Sequence, residues 1–135
     1  MNPALALLLV CIGGGAGALA RWGIAEGWRS LRARDERPSI LRDLVPWPTF
    51  LANILATFLL GVFVTQLGAA SEGIARYAYL LLGTGLCASM STLSTVAFEV
   101  VDLARGRMPV IGVGYLVLSI GSGMAALWLG LVLAS

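Results

Sequence analysis

Four long apolar segments follow one another along the chain, separated by shorter polar stretches. Each is long enough to cross a lipid bilayer, because a membrane-spanning helix needs about 20 apolar residues. Pro48 and Pro109 stand near the starts of the second and fourth segments, where proline is compatible with a helix. The pattern predicts four membrane-spanning helices, over residues 3–24, 49–67, 77–98 and 108–134.

The composition agrees with this prediction. The chain has 135 residues, of which 59% are hydrophobic and 12% charged, and its mean hydropathy is +0.90. A soluble domain of this size buries too little surface to hide so much apolar material. Since no internal repeat or long linker divides the chain, we expect one all-α membrane domain over residues 1–135. No Lys or Arg precedes the first apolar segment, so we expect it to be a retained helix rather than a signal peptide.

The basic residues are distributed unevenly along the chain. All nine are arginine. The second loop, which lies on the opposite side of the membrane from the first and third loops, holds only Arg76. The positive-inside rule then places the first and third loops in the cytoplasm and both termini outside. Seven arginines lie in those two loops: Arg29, Arg32, Arg34, Arg37, Arg42, Arg105 and Arg107.

Hydroxyl side chains are concentrated in the middle of the third apolar segment. Five of the seven residues from Ser89 to Thr95 are Ser or Thr. So many polar groups are not expected to face lipid, and they should face the bundle interior or a water-filled path. Gly83 and Gly85 precede this cluster and indicate that the third helix is broken. A break leaves backbone carbonyls that can hold a cation.

The second and fourth segments each carry polar residues on one helical face. Such residues often do no more than join helices by hydrogen bonds, but three polar segments in one small chain favour a lined pathway. Asn53 is the strongest single candidate, because a buried amide needs several hydrogen-bond partners. The polar residues are Thr49, Asn53 and Thr57 in the second segment, and Tyr115, Ser119 and Ser122 in the fourth.

The expected lining carries no negative charge. The absence of Asp, Glu and His deep in any span argues against a proton relay or an acidic cation filter. Without His there is no Ser-His pair and no zinc site, so we expect no enzyme activity. Arg21 is the only deep basic residue, and it either extends toward the membrane surface or joins the pathway. Gly13 and Gly17 form a GxxxG motif, which predicts close helix packing. This chemistry suits an anion or a small neutral solute.

The motifs of all four segments, in order, resemble those of the CrcB (Fluc) family of small fluoride channels. The first segment resembles the family's GGxxGAxxR opening, the second its TLxxN…SFLLG helix and the third its GTGxCGGxTTFSTFxxE helix. The spacing of Tyr115 and Ser119 fits its fourth helix. The matching stretches are Gly13 to Arg21, Thr49 to Asn53, Thr57 to Gly61, Gly83 to Cys87 and Ser91 to Glu99.

The resemblance implies an antiparallel dimer of four-helix chains with two fluoride pores. It implies a structural sodium ion on the backbone carbonyls of Ala88 and Ser91. It also implies a pore-mouth glutamate at Glu99 and a vestibule arginine at Arg21. The pore residues it implies are Asn53, Thr92, Leu93, Ser94, Thr95, Val96, Tyr115 and Ser119. The resemblance further implies a multi-pass protein of a bacterial inner membrane that exports fluoride passively, with no nucleic-acid partner.

The chain departs from the family pattern at the residues that would face the anion. Leu93 and Val96 stand where the family has two pore phenylalanines, and Ala88 and Ser89 replace a pair of glycines. The arginine bias also opposes insertion in both orientations, which an antiparallel homodimer requires. We therefore favour an antiparallel heterodimer with a second CrcB-like chain over a homodimer. Two alternatives remain open, a non-conducting partner subunit and a small four-helix multidrug transporter.

Overall fold

The computed structural model describes residues 2–34, 45–70 and 72–135. Within these residues the chain is helical, and four helical segments are long and apolar enough to cross a membrane. The prediction of an all-α, four-span membrane protein is confirmed. Arg37 and Arg42, which contribute to the predicted charge bias, lie outside the described residues. The helices are α1 (Pro3–Arg32), α2 (Trp47–Leu67), α3 (Gly73–Tyr79), α4 (Leu93–Arg105) and α5 (Pro109–Ala134).

Helix α1 begins where the sequence predicts but continues eight residues beyond the predicted span. The Asn2 side chain caps its start by accepting a hydrogen bond from the Ala4 amide at 3.0 Å. The extension past Ile24 is polar and carries the ion pair between Arg29 and Glu26, at 2.7 Å. Hydropathy marks where the membrane ends, whereas the helix ends only where its backbone hydrogen bonds stop.

The third spanning segment is interrupted, as predicted. Helix α3 continues into a π-helical segment, Leu80–Cys87, and then into one α-helical turn, Ala88–Met90. Ser91 and Thr92 are extended, with ψ angles of 141° and 114°, and α4 begins at Leu93. This short extended stretch, called the break below, separates the two halves of the third segment. We did not predict the π-helical segment.

Close backbone contacts between helices determine the arrangement of the bundle. Helix α1 packs against the π-helical segment, where a β-carbon on Gly13 would lie 2.0 Å from the Leu81 carbonyl oxygen. Gly17 meets the Leu86 carbonyl in the same way, at 2.3 Å. The predicted close packing at this GxxxG motif is confirmed. Helices α2 and α5 have the most extensive contact in the bundle, and the break lies beside this pair.

Candidate functional site

Side-chain oxygens accept hydrogen bonds from backbone amides at the break. The Thr92 amide donates to Oδ1 of Asn53 at 2.8 Å, and the Thr95 amide donates to Oγ1 of Thr92 at 3.3 Å. In an uninterrupted α-helix these two amides would donate to the carbonyls of Ala88 and Ser91. The break therefore removes the α-helical donors of the two carbonyls that the sequence resemblance assigns to sodium. Carbonyl oxygens are suitable ligands for a hard cation, so these residues fit the ion.

The hydroxyls that follow the break form a compact cluster. Oγ1 of Thr92 lies 3.1 Å from Oγ of Ser94 and 3.1 Å from Oγ1 of Thr95. Thr92 is also the N-cap residue of α4, which explains why its oxygen accepts the Thr95 amide. The structure thus brings together three of the predicted pore hydroxyls at the start of α4.

A groove of about 210 Å³ runs beside this cluster, between α2, α4 and α5. Asn53 contributes from α2, and Ser119 from α5. The Oδ1 atom of Asn53 is occupied by the Thr92 amide, while its Nδ2 group has no acceptor among the described residues. The Ser119 hydroxyl oxygen is buried and likewise has no hydrogen-bond partner within the described part of the chain. The groove therefore contains donors that have no acceptor among the described residues.

Two other polar residues of the predicted stripes use their hydroxyls within their own helices. Thr57 lines the groove, but its Oγ1 lies 2.9 Å from the Asn53 carbonyl oxygen and 3.0 Å from that of Ile54. Ser122 donates to the Leu118 carbonyl at 2.5 Å. Of these two residues only Thr57 lines the groove, and the sequence spacing did not indicate that their protons are already engaged.

Glu99 joins three helices near one end of the groove. Its Oε1 accepts a hydrogen bond from Thr49 Oγ1 at 2.6 Å, and its Oε2 accepts one from Tyr115 OH at 2.8 Å. The carboxylate therefore connects α4 to the first turn of α2 and to α5. Glu99 and Tyr115 were predicted separately as pathway residues. Thr49 was not predicted as the second partner of Glu99, although it lies on the same polar face as Asn53.

The two residues that replace the family phenylalanines differ in their exposure. Val96 is 3% exposed and packs with Phe50 and Tyr115, whereas Leu93 is 74% exposed. Both contribute to the lining of the groove. Arg21, the predicted vestibule residue, is partly exposed and does not line this groove. The structure thus brings the predicted pore residues of α2, α4 and α5 together around the break, and it leaves Arg21 outside that group.

The fold and site define a multi-pass membrane protein whose interrupted third span borders an uncharged, hydrogen-bonding groove. Residues 8–131 match the family described as "CrcB-like protein, Camphor Resistance (CrcB)". The chain therefore belongs to the CrcB family.

Relatives align over nearly the whole chain. The protein named "Fluoride-specific ion channel FluC 2" from Rhodococcus jostii is 36% identical over 131 residues, covering 97% of this chain and all of its own. "Fluoride-specific ion channel FluC" from Erythrobacter litoralis is 31% identical, covering 98% of this chain and 94% of its own. "Fluoride-specific ion channel FluC 1" from Mycobacterium tuberculosis is 35% identical, covering 94% and 88%.

Proposed function

We propose that this chain is a subunit of a fluoride-specific channel that lets fluoride leave a cell passively. The observation that carries the proposal is the groove at the break, where Asn53 and Ser119 keep hydrogen-bond donors that no group in the described part of the chain accepts. The names of the relatives agree with it. Neither a multidrug transporter nor a non-conducting partner subunit is favoured by these relatives.

The number of available donors explains why this site suits a small anion. A selective path must replace the water around fluoride with N–H and O–H groups, and a neutral amide and hydroxyls supply them. Nδ2 of Asn53 offers two N–H groups and Ser119 one O–H. Positively charged side chains would hold an anion more tightly than these neutral groups do. Conduction requires binding that is weak enough for the ion to leave.

The channel requires a second chain, antiparallel to the first. Exposure of Leu93 in the lining of the groove supports a partner that covers this side. The arginine bias supports a distinct partner chain of opposite orientation, hence a heterodimer in a bacterial inner membrane. The Ala88 and Ser91 carbonyls would hold a structural sodium ion where the two chains meet. When bound, sodium would neutralise the carbonyl dipoles that converge there.

Fluoride efflux from proteoliposomes tests the proposal, read with a fluoride electrode against a chloride control. The chain is reconstituted alone and together with a co-expressed second CrcB-like chain. We expect fluoride-selective efflux in at least one preparation, and a large loss of it on Asn53→Ala. Ser122→Ala is the matched control, because its hydroxyl is engaged within its own helix. Folded protein that passes no fluoride in either preparation would overturn the assignment.

A further inference from the structure

Helix α1 is longer than a membrane span requires. Its 30 residues measure about 45 Å at 1.5 Å per residue, whereas the hydrocarbon core is about 30 Å thick. We therefore expect the last turns, which carry the ion pair between Arg29 and Glu26, to extend beyond the hydrocarbon. Within this extension Trp28 is only partly exposed, while the residues that follow it, 29–32, are exposed. Trp28 thus turns toward the protein.

Trp28 contacts the start of α2 through a continuous set of aromatic rings. Its ring centroid lies 6.4 Å from that of Trp47. Trp47 in turn meets Phe50 edge to face, with centroids 5.7 Å apart and an interplanar angle of 89°. Trp47 also packs against the buried cluster formed by Phe50, Val96 and Tyr115. Offset and edge-to-face pairs at such distances are favourable arrangements for aromatic rings.

The first turn of α2 depends on packing for its position. Its N-cap residue is Pro46, and within residues 2–34, 45–70 and 72–135 no side chain caps the turn by a hydrogen bond. The turn contains Thr49, which lies between Trp47 and Phe50 in the chain and donates to Glu99 at 2.6 Å. A hydroxyl hydrogen bond of this length weakens steeply when the donor moves, and it is lost beyond about 3.5 Å. A displacement of about 1 Å at Trp47 would therefore break the contact between Thr49 and Glu99.

We propose that Trp28 is a positioning residue for the pathway, acting through Trp47 to hold Thr49 on Glu99. The junction of Thr49, Glu99 and Tyr115 thus depends on a part of α1 that lies outside the membrane core. The proposal rests on the fluoride-channel function proposed above only for its transport readout. The proposal itself concerns an energetic coupling between Trp28 and Thr49 that is transmitted through Trp47.

A double-mutant cycle tests this coupling in the reconstituted channel. Trp28→Ala is expected to lower the fluoride efflux rate about two- to tenfold, the range of one lost aromatic pair. Trp28→Phe keeps a ring and should restore most of the rate. Trp22→Ala is the matched control, because Trp22 is on the same helix and 61% exposed. In a Thr49→Val background Trp28→Ala should have no further effect, since the contact it supports is already absent.

The same cycle is measured on thermal unfolding in detergent, which separates the two proposals. Non-additive destabilisation without fluoride efflux in any preparation would support the positioning role and refute the channel assignment. Additive effects of Trp28→Ala and Thr49→Val on both rate and unfolding would overturn the positioning role while leaving the channel assignment standing. An equal loss from Trp22→Ala would also overturn it, because that ring does not join the stack.

Discussion

Gly13→Ala should strongly destabilise the protein, although it adds a single methyl group to a helix. The new β-carbon would lie 2.0 Å from the Leu81 carbonyl oxygen and 3.1 Å from the α-carbon of Gly85. Both contacts are with backbone, so no side chain can rotate away. Ordinary contact begins near 3.4 Å, so α1 would have to retreat by about 1.4 Å from the π-helical segment. Overpacking of this kind costs about 1–3 kcal/mol.

Gly15→Ala provides the matched control, two residues further along the same helix. A β-carbon on Gly15 would meet no atom of the described residues within 4 Å. Alanine is better than glycine in a helix by up to about 1 kcal/mol, so this change should be neutral or stabilising. The two alanine variants should thus differ by roughly 1–4 kcal/mol in unfolding free energy. Unfolding in detergent, followed by circular dichroism, measures the difference, and equal midpoints would refute the close contact between α1 and the π-helical segment.

Three further predictions concern the groove and its end. Ser119→Ala should reduce fluoride efflux severalfold relative to Ser122→Ala, because only Ser119 has a hydroxyl without a partner in the described part of the chain. Equal efflux rates would show that the Ser119 hydroxyl does not bind the ion. Leu93→Phe should leave the unfolding free energy unchanged, whereas Val96→Phe should lower it by about 1–3 kcal/mol, because only Val96 is tightly packed. The double variant should raise the fluoride efflux rate if the missing aromatic rings limit it. Tyr115→Phe should destabilise the protein by about 1.5–3 kcal/mol through its lost hydrogen bond to the Glu99 carboxylate, and thermal unfolding beside the wild type checks this.

The spans could be predicted from the sequence because the apolar segments are long and continuous. The end of α1 could not be predicted, because the polar residues after Ile24 lie beyond the apolar segment but still belong to the helix. The break was predicted from glycines and hydroxyls, and it falls at Ser91 and Thr92. The π-helical segment was missed because its hydrogen bonds span five residues, and no apolar or polar pattern in Leu80–Cys87 marks that register.

At the site, too, the participating residues could be predicted from the sequence, but their hydrogen-bond partners could not. Polar spacing and family resemblance identified Asn53, Tyr115 and Glu99; in the structure Asn53 binds the Thr92 amide at the break, whereas Tyr115 binds Glu99. Which hydroxyls are available could not be read from the chain, because the partner of a hydroxyl depends on its rotamer and on neighbouring helices. The Thr57 hydroxyl donates to the Asn53 carbonyl of its own helix, whereas the Thr49 hydroxyl donates to Glu99, 50 positions away in the sequence. The resemblance also assigned Arg21 to the vestibule, and the structure places Arg21 outside the groove lining.

The break also has an electrostatic consequence. At Leu93 a helix of 13 residues starts beside the groove, and the start of a helix carries about half a positive elementary charge from its aligned peptide dipoles. Just upstream, the turn Ala88–Met90 ends with carbonyls and so carries the opposite sign. An anion beside α4 would therefore meet a positive potential that comes from no ionisable residue. This attraction is encoded in the fold of the backbone, and replacing any one side chain of the groove would leave it in place.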